Sequence, residues 1–233
     1  MRLIGVIPAR GGSKGIPRKN LALCAGHSLL ARTARVALAG ARLARVVLST
    51  DDPAIARAGC ALGLEAPFLR PPELARDDTL MVEVLSHFLG WLESEGETCD
   101  GLVLLQPTSP LRRANHIGES IDLYIKHAPA TVVSVVAVPH QFTPSSLMLE
   151  SEGLLQPALA GEKVLRRQDK PRFWARNGPA ILITTPLDIR QGRLYGERVV
   201  GYEMDARSSL DVDSPDDLAR ADWLLREMEL DNE

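Results

Sequence analysis

Along the first 138 residues, short apolar runs alternate with longer stretches in which apolar residues recur every three or four positions. The runs read as buried strands and the stretches as helices with one apolar face. Strands are expected at residues 3–7, 46–49, 102–105 and 131–138, with a weaker one at 66–69. Helices are expected at 29–39, 53–62, 79–92 and 114–127. Val82, Leu85, Leu89 and Leu92 share one face of the third helix; Ile117, Ile121, Tyr124 and Ile125 share one face of the fourth. Asp52 before Pro53 supplies an N-cap and a first-position proline, and Gly63 a stop. Alternation of this kind implies βαβ crossovers. The expected fold is therefore α/β, a doubly wound, mostly parallel sheet with helices on both faces.

Between 139 and 171 the alternation breaks. Phe142, Leu147, Met148, Leu149, Leu154 and Leu155 stand among turn residues, which reads as a hairpin excursion from the main sheet. It could be a mobile surface flap, but a polar loop would not carry so many large apolar groups. Strands resume at 180–184 and 198–204. A last helix opens at Ser214-Pro215-Asp216-Asp217 and buries Leu218, Ala221, Leu225 and Met228. Residues 1–138 and 172–233 thus form one α/β domain, with 139–171 inserted in it as a small β-rich arm.

Composition narrows the function classes. A chain of 233 residues can hold one sizeable core, and 45% hydrophobic with 24% charged residues is ordinary for a globular protein. A net charge of −3 argues against general nucleic-acid binding, so any anion site must be local. Cys24, Cys60 and Cys99 are widely spaced with no CxxC, which reads as reduced thiols rather than a disulfide frame or zinc site. Without a signal-peptide pattern or a run of about 18 apolar residues, a cytoplasmic protein with no membrane span is expected.

The chemistry concentrates after the first strand. Arg10-Gly11-Gly12-Ser13-Lys14-Gly15-Ile16-Pro17-Arg18-Lys19-Asn20 crowds three glycines and four cations into one loop. Glycines let backbone N–H groups approach a ligand, and the cations pair with phosphate. The spacing fits neither the P-loop nor the dinucleotide fingerprint, which sets aside an NAD-dependent oxidoreductase. The segments 49–52 and 106–112 also follow strands, so all three loops can converge on one cleft beyond the carboxyl edge of the sheet. Asp211 and Asp213 lie two apart on an extended segment and so point the same way. They are either a Mg²⁺ pair or acids favoured by the following helix start; Asp216 and Asp217 fit the second description better. His87, His116, His127 and His140 have no metal-ligand spacing and read as surface or core-edge residues.

The run 7–20 resembles the signature of the CMP-acylneuraminate (CMP-sialic acid) synthetase family of cytidylyltransferases. Ser49-Thr50-Asp51-Asp52, Arg70-Pro71-Pro72-Glu73-Leu74, Leu105-Gln106-Pro107-Thr108-Ser109-Pro110-Leu111-Arg112, Arg166-Arg167-Gln168-Asp169, Asn177-Gly178 and Asp211-Val212-Asp213 match in the same order. The resemblance implies transfer of CMP from CTP to the hydroxyl of an acidic sugar, with release of pyrophosphate. It implies that Arg10 and Lys19 contact the phosphates, aided by Ser13. Asn20 would lie near the nucleotide and the Ala9 backbone beside the cytosine. Lys14 and Arg18 are open between phosphate contact and solvation. The resemblance further implies that Gln106 contacts the sugar and that Arg167 takes its carboxylate in the partner subunit. Asp211 and Asp213 would hold Mg²⁺, with Asp213 also accepting the hydroxyl proton. The inserted arm would join a homodimer.

Two departures alter the sugar half. Sialate-specific members usually read Asn-Gly-Ala-Ile-Tyr, whereas this chain reads Asn177-Gly178-Pro179-Ala180-Ile181, and a family lysine is replaced near Ser145. Losing a phenol and an ammonium removes hydrogen bonds that discriminate strongly. The acceptor expected is an acidic nonulosonic sugar, with legionaminate, pseudaminate, Kdo or a phosphonate as alternatives. A catalytically silent nucleotide-sugar-binding protein is the rival from another class.

Overall fold

The computed structural model describes residues 1–40, 42–127, 131–158 and 171–230, without the side chains of the last two. Its strands are β1 Leu3–Pro8, β2 Leu23–Cys24, β3 His27–Ser28, β4 Arg45–Ser49, β5 Gly101–Leu104, β6 Thr131–Ala137, β7 Met148–Ser151, β8 Leu154–Pro157, β9 Trp174–Arg176, β10 Leu182–Thr184 and β11 Val199–Glu203. Its α-helices are α1 Leu29–Ala39, α2 Pro53–Ala61, α3 Met81–Ser94, α4 Ala114–His127, α5 Pro186–Arg190 and α6 Pro215–Leu230. The main sheet runs β11-β6-β10-β5-β1-β4, with β9 paired to β6. Its β1–β4, β1–β5 and β6–β11 pairs are parallel. β10 is antiparallel to both its neighbours, and β9 is antiparallel to β6. The sheet is therefore mixed but mostly parallel.

Alternation of side chains along β1 divides the core. Leu3 and Ile7 point to one face, where they meet Leu30, Ala34 and Ala37 of α1, Ile55 of α2, and Ile117, Ile121 and Tyr124 of α4. Ile4 and Val6 point to the other face, covered by Leu85, Phe88, Leu89 and Leu92 of α3 and Ile189 of α5. A third cluster packs Ala221, Leu224 and Leu225 of α6 against Ile16, Cys24, Leu29 and Val212. That cluster holds the chain's last helix against the loop that follows its first strand.

Several expected elements shift. The 66–69 strand is absent as a strand: only single bridges at Glu65 and Leu69 touch the edge of β4. α3 begins at Met81 rather than 79, where Glu83 reaches back to the Leu80 N–H. The excursion after β6 does form a hairpin, β7–β8. Phe142, Leu147, Met148, Leu149, Leu154 and Leu155 on it are all exposed. Cys24, Cys60 and Cys99 form no disulfide. Among the described residues, no helix is long and apolar enough to cross a membrane.

Candidate active site

At the carboxyl end of β1 the chain leaves the sheet through the glycine-rich loop, and neighbouring segments fix that loop in place. The Gly11 N–H donates to Asp51 Oδ1 at 2.9 Å, and the Asn20 amide donates to the Arg10 carbonyl at 2.9 Å. Asn20 is thereby a buried strut as well as a cleft residue. A Cβ on Gly11 would lie 2.8 Å from Cβ of Asp52, and one on Gly15 would lie 2.7 Å from the Asp213 carbonyl oxygen. Gly15 is needed because the loop lies directly against the segment that carries the two aspartates.

One cleft of about 380 Å³ gathers these parts. The loop supplies Arg10, Ser13, Lys19 and Asn20; the segment after β5 supplies Gln106 and Thr108; Asp211 and Asp213 close another side. Residues from opposite ends of the chain are therefore neighbours. Lys19 Nζ donates to the Val212 carbonyl and to Asp213 Oδ1, each at 3.0 Å. The Val212 N–H donates to the Thr108 carbonyl at 2.8 Å, which ties the aspartate segment to the β5 loop. Ala9 is fully buried between the cleft residues Pro8 and Arg10, its N–H is committed to the Ser49 carbonyl at 2.9 Å, and it does not itself line the cleft. Arg18 adopts a left-handed φ of 51° before the turn at Lys19–Leu21 and is exposed. Arg166 and Arg167 lie outside the described residues.

The two aspartates occupy different environments. Asp213 is open to solvent beside Lys19, whereas Asp211 is half-buried and its carboxyl is pushed up, chiefly by burial and then by the Asp213 charge. Asp211 Oδ1 is buried without a well-formed hydrogen bond, although the Thr108 hydroxyl and Lys19 ease its charge. A buried carboxylate oxygen left in this way is costly unless a cation completes it. The donor set therefore fits a hard divalent ion that takes its remaining ligands from phosphate and water. Among the described residues, no group of three or more His, Cys, Asp or Glu could hold a metal without such help.

The cleft also contains Arg70, Arg76, Asp77 and Thr79, to which the sequence reading assigned no role. The bridge between Thr50 and Leu69 lays this segment along the end of β4, and so along the same edge of the sheet. Buried Arg70 donates to the carbonyls of Ser49 and Leu74 at 3.2 and 3.3 Å. Behind the cleft, the fully buried Arg112 donates to the carbonyls of Gln106 (3.1 Å) and Ala180 (2.6 Å) and to the Thr33 hydroxyl (3.0 Å). Burial pushes its guanidinium down to about 9. Arg112 thus clamps the Gln106 segment to the stretch between Gly178 and β10. Buried Asn177 does the same for the other wall, accepting from the Ser134 hydroxyl at 2.6 Å and donating to the Ser209 hydroxyl at 2.9 Å.

A family model for cytidylyltransferases matches residues 4–211. The chain belongs to the cytidylyltransferase family. Among its relatives, N-acylneuraminate cytidylyltransferase of Streptococcus agalactiae serotype V is 32% identical over 98% of this chain and 56% of that protein. This chain therefore spans little more than half the length of that relative. CMP-N,N'-diacetyllegionaminic acid synthase of Legionella pneumophila is 33% identical over 100% of this chain and 99% of that one. CMP:2-keto-3-deoxy-manno-octonic acid synthetase, solved in complex with CTP, superposes with a TM-score of 0.73 at 19% identity, covering 98% of this chain and 100% of that chain. At that identity the likeness is one of fold.

Proposed function

We propose that this cytidylyltransferase moves CMP from CTP to the anomeric hydroxyl of an acidic nonulosonic sugar of the acylneuraminate type and releases pyrophosphate. The observation that carries the reading is the meeting of Arg10, Lys19, Asp211 and Asp213 around one cleft. CTP brings close to four negative charges, and further charge moves to the leaving pyrophosphate in the transition state. Positioned cations therefore supply most of the catalysis. Arg10 and Lys19 receive the phosphates, helped by Ser13, and Asn20 holds the loop around them. The sugar oxygen attacks the α-phosphorus, the bond to the bridging oxygen of the leaving pyrophosphate breaks, and Asp213 takes the hydroxyl proton. Asp211 and Asp213 would hold Mg²⁺, which would supply Lewis acidity to the bound phosphates. Gln106 contacts the sugar, and Arg167 of a second copy pairs with its carboxylate.

The exposed apolar hairpin β7–β8 supports a homodimer in which each arm reaches its neighbour. A cytoplasmic setting, where CTP is available, completes the reading. Within the same chemistry, Ile181 in place of the sialate-type tyrosine favours a related acid such as legionaminate, and the likeness to the Legionella relative along its whole length supports this.

The test is pyrophosphate release from CTP, with and without Mg²⁺, across neuraminate, legionaminate, pseudaminate and Kdo. Release with one nonulosonic acid and Mg²⁺ is expected. Tight CTP binding with no release from any acid would instead make the protein a silent nucleotide-sugar binder.

A further inference from the structure

Two cations of the glycine-rich loop already have an anion. The Asp77 carboxylate spans them, with Oδ1 2.8 Å from an Arg10 guanidinium nitrogen and Oδ2 2.5 Å from Lys14 Nζ. Lys14 and then Arg10 hold this carboxyl below the usual carboxylate range. Its two oxygens divide between two cations as two oxygens of a phosphate would.

Asp77 comes from outside the loop, on the segment between the turn at Pro72–Leu74 and α3. It lines the same cleft as Lys19 and Asp213, and among the described residues it has no other side-chain partner. The turn around it is closed by the Thr79 N–H on the Arg76 carbonyl at 3.4 Å, while the backbone of Asp77 and Asp78 makes no hydrogen bond to the described residues. The carboxylate can therefore swing out without unpairing the chain. Lys19 differs: its acid partner, Asp213, belongs to the proposed metal pair and stays in the site when nucleotide arrives.

We propose that Asp77 is a built-in competitor of the leaving pyrophosphate for Arg10 and Lys14. The inference rests on the reading that Arg10 receives the phosphates of CTP, and it extends that role to Lys14, which shares the Asp77 carboxylate with it. A nucleotide with close to four charges displaces a single carboxylate. After transfer, the carboxylate returns to the same cations and lowers their hold on pyrophosphate. Asp77 thus acts through Arg10 and Lys14 as a positioning residue for product release.

The experiment is calorimetric binding of pyrophosphate with Mg²⁺ to the intact protein at two salt concentrations, alongside steady-state turnover. Removing a competing anion tightens binding, whereas structural damage would weaken it. Asp77→Asn is expected to bind pyrophosphate about three- to tenfold more tightly, a size set by two partly exposed ion pairs. It should also show a steeper salt dependence and a lower kcat for release-limited turnover, while Asp77→Glu stays near wild type. Unchanged or weaker binding by Asp77→Asn, with Arg10→Ala binding clearly worse than wild type, would overturn this inference and leave the phosphate site standing. Unchanged binding by Arg10→Ala would overturn both.

Discussion

Lys19 Nζ sits 3.0 Å from Asp213 Oδ1, a pair separated by 194 positions in the chain. Its energetic weight as an ion pair is small, because Asp213 is largely exposed and such pairs contribute about 0–1 kcal/mol. Its significance is positional: it places an ammonium group where leaving-group charge would grow. Lys19→Met should therefore keep the fold and lose about 10²–10³ in kcat, the usual cost of removing one preorganised charge-stabilising group. Circular dichroism and pyrophosphate release measure the two halves. A variant turning over within a factor of about three of wild type would remove Lys19 from the chemistry.

This contact also shows which parts of the structure were legible in sequence. The strands were readable wherever they were continuous apolar runs buried on both faces, as with Leu3–Pro8 and Gly101–Leu104. The glycine-rich loop and the two aspartates could be matched because their chemistry is carried by residue type at fixed spacing. The reversed direction of β10 could not be read, since a buried strand has the same apolar pattern whichever way it runs. Asp77 was missed for a similar reason. An acid after a proline-rich turn resembles ordinary loop polarity, and only the bridge of Leu69 to Thr50 brings its segment to the cleft. Nothing in sequence distinguishes a buried arginine that binds carbonyls, as Arg112 does, from a solvated one.

Asp211 supplies a prediction about metal removal. Its carboxylate, with Oδ1 buried and under-satisfied, destabilises the metal-free protein, and Asp211→Asn relieves that charge. The variant should melt higher than wild type in chelator. Wild type should rise on adding Mg²⁺, while the variant should not. Calorimetric melting with chelator and then with Mg²⁺ gives both results. Equal Mg²⁺ stabilisation of the two proteins would remove Asp211 from the metal site.

His116 gives a pH dependence with a definite sign. It is the third residue of α4, buried, and its Nδ1 accepts the Arg113 N–H at 3.2 Å. Burial, and then Arg113, push its pKa below 6.5; Asp205 and Glu119 oppose that, and Arg112 adds to it. The unfolded chain therefore binds the proton more readily. His116 contributes stability above about pH 6.5, lost as pH falls toward its lower folded value. His116→Gln keeps an acceptor for Arg113 without titrating, so its chemical-denaturation stability should fall less than that of wild type between pH 7 and pH 5. Parallel stability curves would rule out the histidine as a source of acid sensitivity.

The arm prediction follows from exposure. Leu154 and Leu155 are 70% and 67% exposed on β8, a poor state for two leucines unless another surface covers them. The double change Leu154→Asp with Leu155→Asp should leave the α/β domain folded and shift sedimentation from dimer to monomer. Turnover should fall with it, since Arg167 is proposed to act in the neighbouring site. A wild-type protein that sediments as a monomer at assay concentration would end the dimer reading.

Gly12 and Gly15 make a matched pair within the loop. A Cβ on Gly12 meets nothing within 4 Å, and its backbone is not left-handed. A Cβ on Gly15 would lie 2.7 Å from the Asp213 carbonyl, a backbone atom that cannot swing aside. Forcing a methyl group into such a contact costs about 1–3 kcal/mol or moves the segment. Here the segment that moves carries Asp213, so displacement by a few tenths of an ångström disturbs both the lysine pair and the proposed metal site. Gly12→Ala should keep near wild-type kcat/KM for CTP. Gly15→Ala should lose about 10²-fold or more, the size expected when a reacting geometry is misplaced. Measuring both variants at saturating Mg²⁺ separates the two explanations for a glycine-rich loop. Equal losses would mean that the loop needs general flexibility, whereas loss confined to Gly15 means that it needs close contact with the aspartate segment.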